Sequence, residues 1–376
     1  MKQSSRRTFI HKSFVSVPAY FLFDLSWVKA ESTNPEDVMD EALEMLAQTG
    51  PEYQGGLANH GPMASEALIS MNRADAVVKW LEKYKKSLQP HPTATTKIDP
   101  VEWRQSLGNF NLSAEWVAFF DRELKEKSWR SVLNEWVINL APGLSAAGGH
   151  GLLRTAHIAR RLAQKETGNR IHELAEGLGY WAARYQIMPS TEKKVAKQLQ
   201  PSEAFNQIKL LPKEQRISGP SVLRGLLRLE DFPPFADVIN MVHTSADPEK
   251  FISNLTETFA TVYVENPSRN YIISFIHAVT APSAIRLMLP ALSDEARHGI
   301  LRYGWQLAAG IYTAFGETLI KTNAEAIDSK EDLIDRAVNN GDEHAIKFTE
   351  ACLREYALNP KPVYLRAARM VSDELN

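Results

Sequence analysis

Tyr271-Ile272-Ile273-Ser274-Phe275-Ile276-His277-Ala278-Val279 is apolar nearly all round. A surface helix would show one apolar stripe, so this stretch reads as a buried helix. Working outward, strand signals are scarce. Thr258 to Glu265 is the one β-branched run, and it sits inside a longer helix-like pattern. Elsewhere apolar residues recur every three or four positions. Asn34 with Pro35 reads as a helix start. Further helices are expected over 62–72, 74–88, 113–125, 128–140, 150–166 and 169–185. The second half adds 202–211, 219–228, 234–243, 248–263, 270–280, 282–291, 294–316, 330–339, 342–357 and 361–375. Prolines mark the breaks, and no repeat period is visible. The fold class is all-α, a single large domain of many short-to-medium helices around a buried site.

The chain has 376 residues, net charge −2, 44% hydrophobic and 23% charged residues. That composition is globular and offers no bulk attraction to nucleic acid. The single cysteine, Cys352, excludes an internal disulfide framework, a Cys-rich zinc module and a four-cysteine iron–sulfur cluster. Neither a dinucleotide-binding glycine fingerprint nor a phosphate-binding loop is present, so no nucleotide cofactor site is visible. His-Glu-x-x-His and the G-x-S-x-G elbow are absent too.

The N-terminus stands apart. Ser5-Arg6-Arg7-Thr8-Phe9-Ile10 is a twin-arginine pattern, followed by an apolar run from Phe14 to Val28. That run is short for a membrane span and carries Pro18 and Asp24. Val28-Lys29-Ala30 offers a cleavage point after Ala30. Residues 1–30 are therefore expected to be an export signal read by the twin-arginine machinery. Residues 31–376 would be a periplasmic domain with no stable membrane span.

Histidines carry the chemical signal. His277 lies in the buried stretch, where its ring needs partners: backbone, a hydroxyl such as Thr280, or a metal. His344 and Lys347 share one helix face, continued by the apolar Phe348, Ala351 and Cys352. A lysine there either snorkels to water or stays neutral. A neutral buried amine can add carbon dioxide to give a carbamate, an oxygen ligand for a metal. His150 and His157 are seven apart and form a polar stripe with Arg154 and Arg161. That stripe is either a solvated face or, in part, a ligand set. His60 precedes a helix whose first turn holds Pro62, as a loop ligand or a surface residue.

Five segments together resemble the questin oxidase-like family: Asn59-His60-Gly61-Pro62-Met63, His150-Gly151-Leu152-Leu153-Arg154-Thr155-Ala156-His157, Tyr180-Trp181-Ala182-Ala183-Arg184-Tyr185, His277-Ala278-Val279-Thr280 and Glu343-His344-Ala345-Ile346-Lys347. The resemblance implies oxidative opening of anthraquinone rings by a mononuclear non-haem iron, held by four histidines and a carboxylated lysine. It implicates His60, one or both of His150 and His157, His277, His344 and Lys347 as ligands of Fe(II). The implied partners are dioxygen and a small aromatic, anthraquinone- or polyketide-like substrate. Arg154 would meet an anionic phenolate, and Trp181 and Tyr185 could stack on a planar ring. Two other readings remain: a non-catalytic helical binding protein, and an NADPH-dependent Baeyer–Villiger-type oxidoreductase for which no cofactor motif is seen.

Overall fold

Asn34 opens the first helix by accepting the N–H of Glu36 on its side chain, with Pro35 in the first turn. The structure, a computed structural model, describes residues 34–375 apart from 192–197, 220, 245–246 and 323–327. The expected export signal lies outside the described residues. Fifteen α-helices follow: α1 Pro35–Leu46, α2 Gly61–Ser70, α3 Ala74–Tyr84, α4 Ser113–Glu126, α5 Trp129–Leu140, α6 His150–Leu162, α7 Gly168–Ala183, α8 Pro201–Phe205, α9 Val222–Leu227, α10 Pro248–Glu265, α11 Ile272–Met288, α12 Asp294–Phe315, α13 Lys330–Asn340, α14 Glu343–Leu358 and α15 Pro362–Glu374, counted among the described residues. The fold is all-α, as the periodicity predicts. A hairpin of two-residue strands, β1 Glu52–Tyr53 and β2 Leu57–Ala58, joins α1 to α2.

α11 is the centre of the fold. By length and composition, Ile272–Ala291 is apolar enough to cross a membrane, yet 83% of that window is buried by the protein itself. α6, α10, α12 and α14 all pack against α11. That packing explains one departure from the sequence reading. Two helices were expected, broken near Pro282, but α11 runs through it. Proline removes one intrahelical hydrogen bond, and packing on four neighbours outweighs that local loss.

The second departure lies over residues 219–243. Only Val222–Leu227 is α-helical; the rest tightens into 3-10 turns at Arg228–Asp231, Pro233–Phe235 and Val238–Asn240. Pro233 and Pro234 lack the N–H groups that a continuous helix needs. Leu229, Phe235, Val238 and Ile239 still reach the core. The helix expected over 202–211 likewise stops at Phe205. The β-branched run Thr258 to Glu265 is helical, inside α10.

Four helices position the candidate site. α2 packs on α6, α6 on α11, α11 on α14, and α14 on α2, closing a ring. The chain enters α6 through Ala147, Gly148 and Gly149, with φ of 47°, 70° and 94°. Glycine accepts such left-handed angles without strain. One residue into the helix, a Cβ at Gly151 would fall 2.5 Å from Trp181 Cα. Backbones of α6 and α7 therefore meet directly, and Gly151 is required for that approach.

Candidate metal centre

Each helix of the ring carries a histidine inward. His60 is the N-cap of α2, His150 begins α6, and His344 is the second residue of α14. His277 lies on the second turn of α11. His60, His150 and His277 are 3%, 9% and 1% exposed, and His344 is partly buried. One ring nitrogen from each of His60, His150 and His344 falls within 4.8 Å of the others, a candidate metal site. His277 closes the group: its ring centroid is 4.4 Å from that of His150 and 5.8 Å from that of His344.

Burial holds the His60, His150 and His277 rings neutral. His60 and His150 are pushed well below the usual histidine range, first by desolvation and then by the charge of Lys347. His277 is lowered by desolvation and then by His150. The positive ends of α2, α6 and α14 act in the same sense, since a helix N-terminus disfavours added positive charge. A neutral imidazole is the form that ligates metal.

Hydrogen bonds then decide which nitrogen is bare. His150 Nδ1 lies 2.5 Å from the Ala147 carbonyl, which can only accept, so the proton sits on Nδ1. His60 Nδ1 lies 3.1 Å from Glu343 Oε1 and donates to it. Both Nε2 atoms are left without protons, and they face each other at 2.6 Å. Two facing lone pairs at that distance repel unless a cation is shared between them. Outer groups that fix the tautomer of a ligand histidine in this way are the usual support of a metal site. His344 Nδ1 is turned toward Asp342 Oδ1 at 3.3 Å. His277 Nδ1 is buried without a hydrogen-bond partner, while Thr280 donates its hydroxyl to Ile276 O instead.

Lys347 is 3% exposed, one helical turn beyond His344, among Phe348, Ala351 and Cys352. It does not snorkel to water. Among the described residues its amine has no hydrogen-bond or ion-pair partner, and burial pulls its pKa down to about 8. The donor set is thus imidazole nitrogen with an amine able to become an oxygen donor. That mixture suits iron, and the residues present fit a bound metal.

Two residues of the expected site are elsewhere. His157 is 4% exposed, but its Nδ1 lies 2.6 Å from Glu66 Oε2, in a buried ion-pair layer two turns beyond His150. Seven residues carry the ring about 10.5 Å along the axis, out of reach of the His150 ligand position. Arg154 is committed as well. It forks onto Glu173 at 2.6 and 2.8 Å and faces Glu176 at 3.3 Å, so two buried carboxylates already meet its charge, although its Nη1 makes no hydrogen bond. The His150–Arg161 stripe is therefore neither solvated nor a ligand set beyond His150. Trp181 is fully buried in the core and donates to Gly143 O, and Tyr185 is partly buried and packs on Gly143 against that core.

Three supporting residues were not singled out from sequence. Glu343 Oε1 accepts from Tyr53 Oη as well as from His60, each at 3.1 Å. Asp342 caps α14 by accepting the His344 N–H at 2.7 Å. Tyr84 Oη accepts the His60 N–H at 2.7 Å. Only Asp342 and Glu343 carried a signal, as acids directly ahead of His344.

The sequence profile of the questin oxidase-like family matches residues 74–352. The chain belongs to that family. The matched stretch includes His150, His277, His344 and Lys347; His60 lies just before it, and the geometry alone adds it to the group. The family description points to an oxidase acting on an aromatic compound. No curated protein matches the chain.

Proposed function

We propose that this chain is an exported, mononuclear non-haem iron enzyme that uses dioxygen to oxidise or cleave an anthraquinone- or polyketide-like aromatic compound. His60, His150, His277 and His344 would hold the iron by nitrogen, and Lys347, carboxylated, by oxygen. The observation that carries the reading is the pair of bare Nε2 atoms at 2.6 Å, beside a buried amine with no partner. Iron, when bound, would activate dioxygen and offer a Lewis-acidic position for a phenolate oxygen, with the aromatic compound itself the source of the electrons that dioxygen takes up. The protein's own part is to keep the His60, His150 and His277 rings neutral, to hold the His60 and His150 protons on Nδ1, and to exclude water from the ring of helices. Carboxylation forms a bond from Lys347 Nζ to carbon dioxide and releases one proton from the nitrogen. The carbamate then places a negative charge where a buried ammonium would be disfavoured.

Metal analysis of purified protein tests the reading. About one iron per chain is expected, and apo protein should reload better with bicarbonate present. Protein that folds and takes up no iron would favour a non-catalytic binding role. Export rests on Arg6 and Arg7. Replacing both by lysine should hold the protein in the cytoplasm, read by fractionation; unchanged periplasmic yield overturns it.

A further inference from the structure

A cavity of about 780 Å³ lies between α3 and the turn that joins α13 to α14. Its size is that of a pocket for a multi-ring small molecule. One face of α3 lines it: Ala76, Lys79, Trp80, Lys83 and Tyr84, at the three-and-four spacing that puts residues side by side on a helix. Trp80 and Tyr84 stack on each other, centroids 4.7 Å apart and planes 14° apart, and so form a shelf two rings thick that a third ring could extend. The shelf is held at both ends. Trp80 Nε1 donates to Gly341 O at 2.8 Å, and Tyr84 Oη accepts the His60 N–H at 2.7 Å. Such tethering fixes both rings before any ligand arrives. It also ties the shelf to the backbone beside the metal centre, because His60 belongs to that centre and Gly341 directly precedes Asp342, although the cavity lining itself includes no residue of the centre.

The charges around the shelf are uneven. Arg73 is engaged by Asp335 at 2.5 Å and Asp75 at 3.4 Å. Among the described residues Lys79 and Lys83 have no carboxylate partner, and they flank the shelf one turn apart. We infer that this cavity binds a planar aromatic anion, with the ring system stacked on the Trp80–Tyr84 pair and an acidic group (carboxylate, sulfonate or phenolate) on Lys79 and Lys83. Flat rings gain offset stacking on such a shelf, and an ammonium pair gains charge-assisted hydrogen bonds to an oxyanion. The inference deepens the iron-oxygenase reading and rests on it for what becomes of the occupant; binding itself needs only the cavity.

The test is equilibrium binding of anthraquinone-2-sulfonate to the full chain, with and without iron, beside the neutral 2-(hydroxymethyl)anthraquinone. Saturable binding of the sulfonate is expected, weakening as salt rises. Lys79→Met with Lys83→Met should weaken it about tenfold, to the level of the neutral analogue, and remove the salt dependence. Trp80→Leu should weaken both compounds about tenfold. Iron content and thermal midpoint are measured on every variant, and the lysine variant should keep both. Sulfonate binding that survives in iron-free protein supports the cavity even if the iron reading fails. Equal binding of the sulfonate to wild type and the lysine variant overturns the inference, as does equal affinity for the neutral analogue or no saturable binding at all.

Discussion

The ring of helices carries two polar layers, and they are built on opposite terms. α2 places His60 in the first and Glu66 in the second; α6 places His150 and then His157; α14 places His344 and then Glu350. Six or seven residues separate the members of each pair, about 9–10.5 Å along the axes. In the second layer each charge meets its opposite. Glu66 accepts from Arg161 Nε at 2.8 Å, Arg160 Nε at 2.8 Å and His157 Nδ1 at 2.6 Å. Glu350 accepts from Arg160 at 2.7 Å and from Arg354 at 3.0 and 3.1 Å. In the first layer, the His60 and His150 lone pairs, His277 Nδ1 and the Lys347 amine are not satisfied by the protein. Buried polar groups are normally satisfied. A protein that pairs buried charges so completely on one level has left bare nitrogen donors on the other, the level of the candidate metal site.

The sharpest way to break this contrast is to unpair the closed layer. Glu66→Ala leaves Arg160 and Arg161 buried without their shared carboxylate and should cost about 3–5 kcal/mol in chemical denaturation. A loss below about 1 kcal/mol would mean that water, not Glu66, satisfies the arginines. Next comes the open layer. His344→Ala and His277→Ala should each lower iron affinity by about 100-fold or more while leaving the denaturation midpoint near wild type; Glu343→Gln should lower it by about 10–100-fold through His60. His157→Gln should do the reverse, keeping iron and losing stability. Full iron occupancy in His277→Ala would remove that residue from the ligand set.

The smallest effect is in acid. Burial pushes the carboxyls of Glu66 and Glu350 up, but the arginines around them win, and Glu350 is held down to about 2. A depressed carboxylate contributes stability that is complete above its unfolded value near 4.5 and is lost as pH falls toward the folded value. Stability should therefore decline between about pH 4.5 and 2, and Glu350→Gln should flatten part of that decline. Equal slopes for the two proteins would count against the pairing of Glu350 with Arg160 and Arg354.

The histidine helices were legible because their signals are local. The apolar surround of His277 declares burial within one or two turns, and the three-residue step from His344 to Lys347 puts both on one helix face while leaving snorkelling open for the lysine. His157 was not separable from His150 by the same means. Its partner Glu66 lies 91 positions away, and nothing within α6 distinguishes a histidine aimed at a metal from one aimed at a carboxylate. Arg154 failed in the same way, since Glu173 and Glu176 come from the next helix. Among elements, the 52–58 hairpin escaped notice because two-residue strands have no period to read. Its Tyr53 nevertheless reaches Glu343, so a piece of the site's support came from the least legible part of the chain.

The contact between His60 and Glu343 spans 283 positions of the chain. A fragment that stops before α14 lacks His344 and Lys347, and one that starts after α2 lacks His60, so neither holds the full donor set. The loop that brings α14 against α2 must close first, and closure over such a distance is slow to be rewarded. Metal binding at this candidate site would thus report on finished folding: a chain that took up an ion there would already have brought its first and last site helices together.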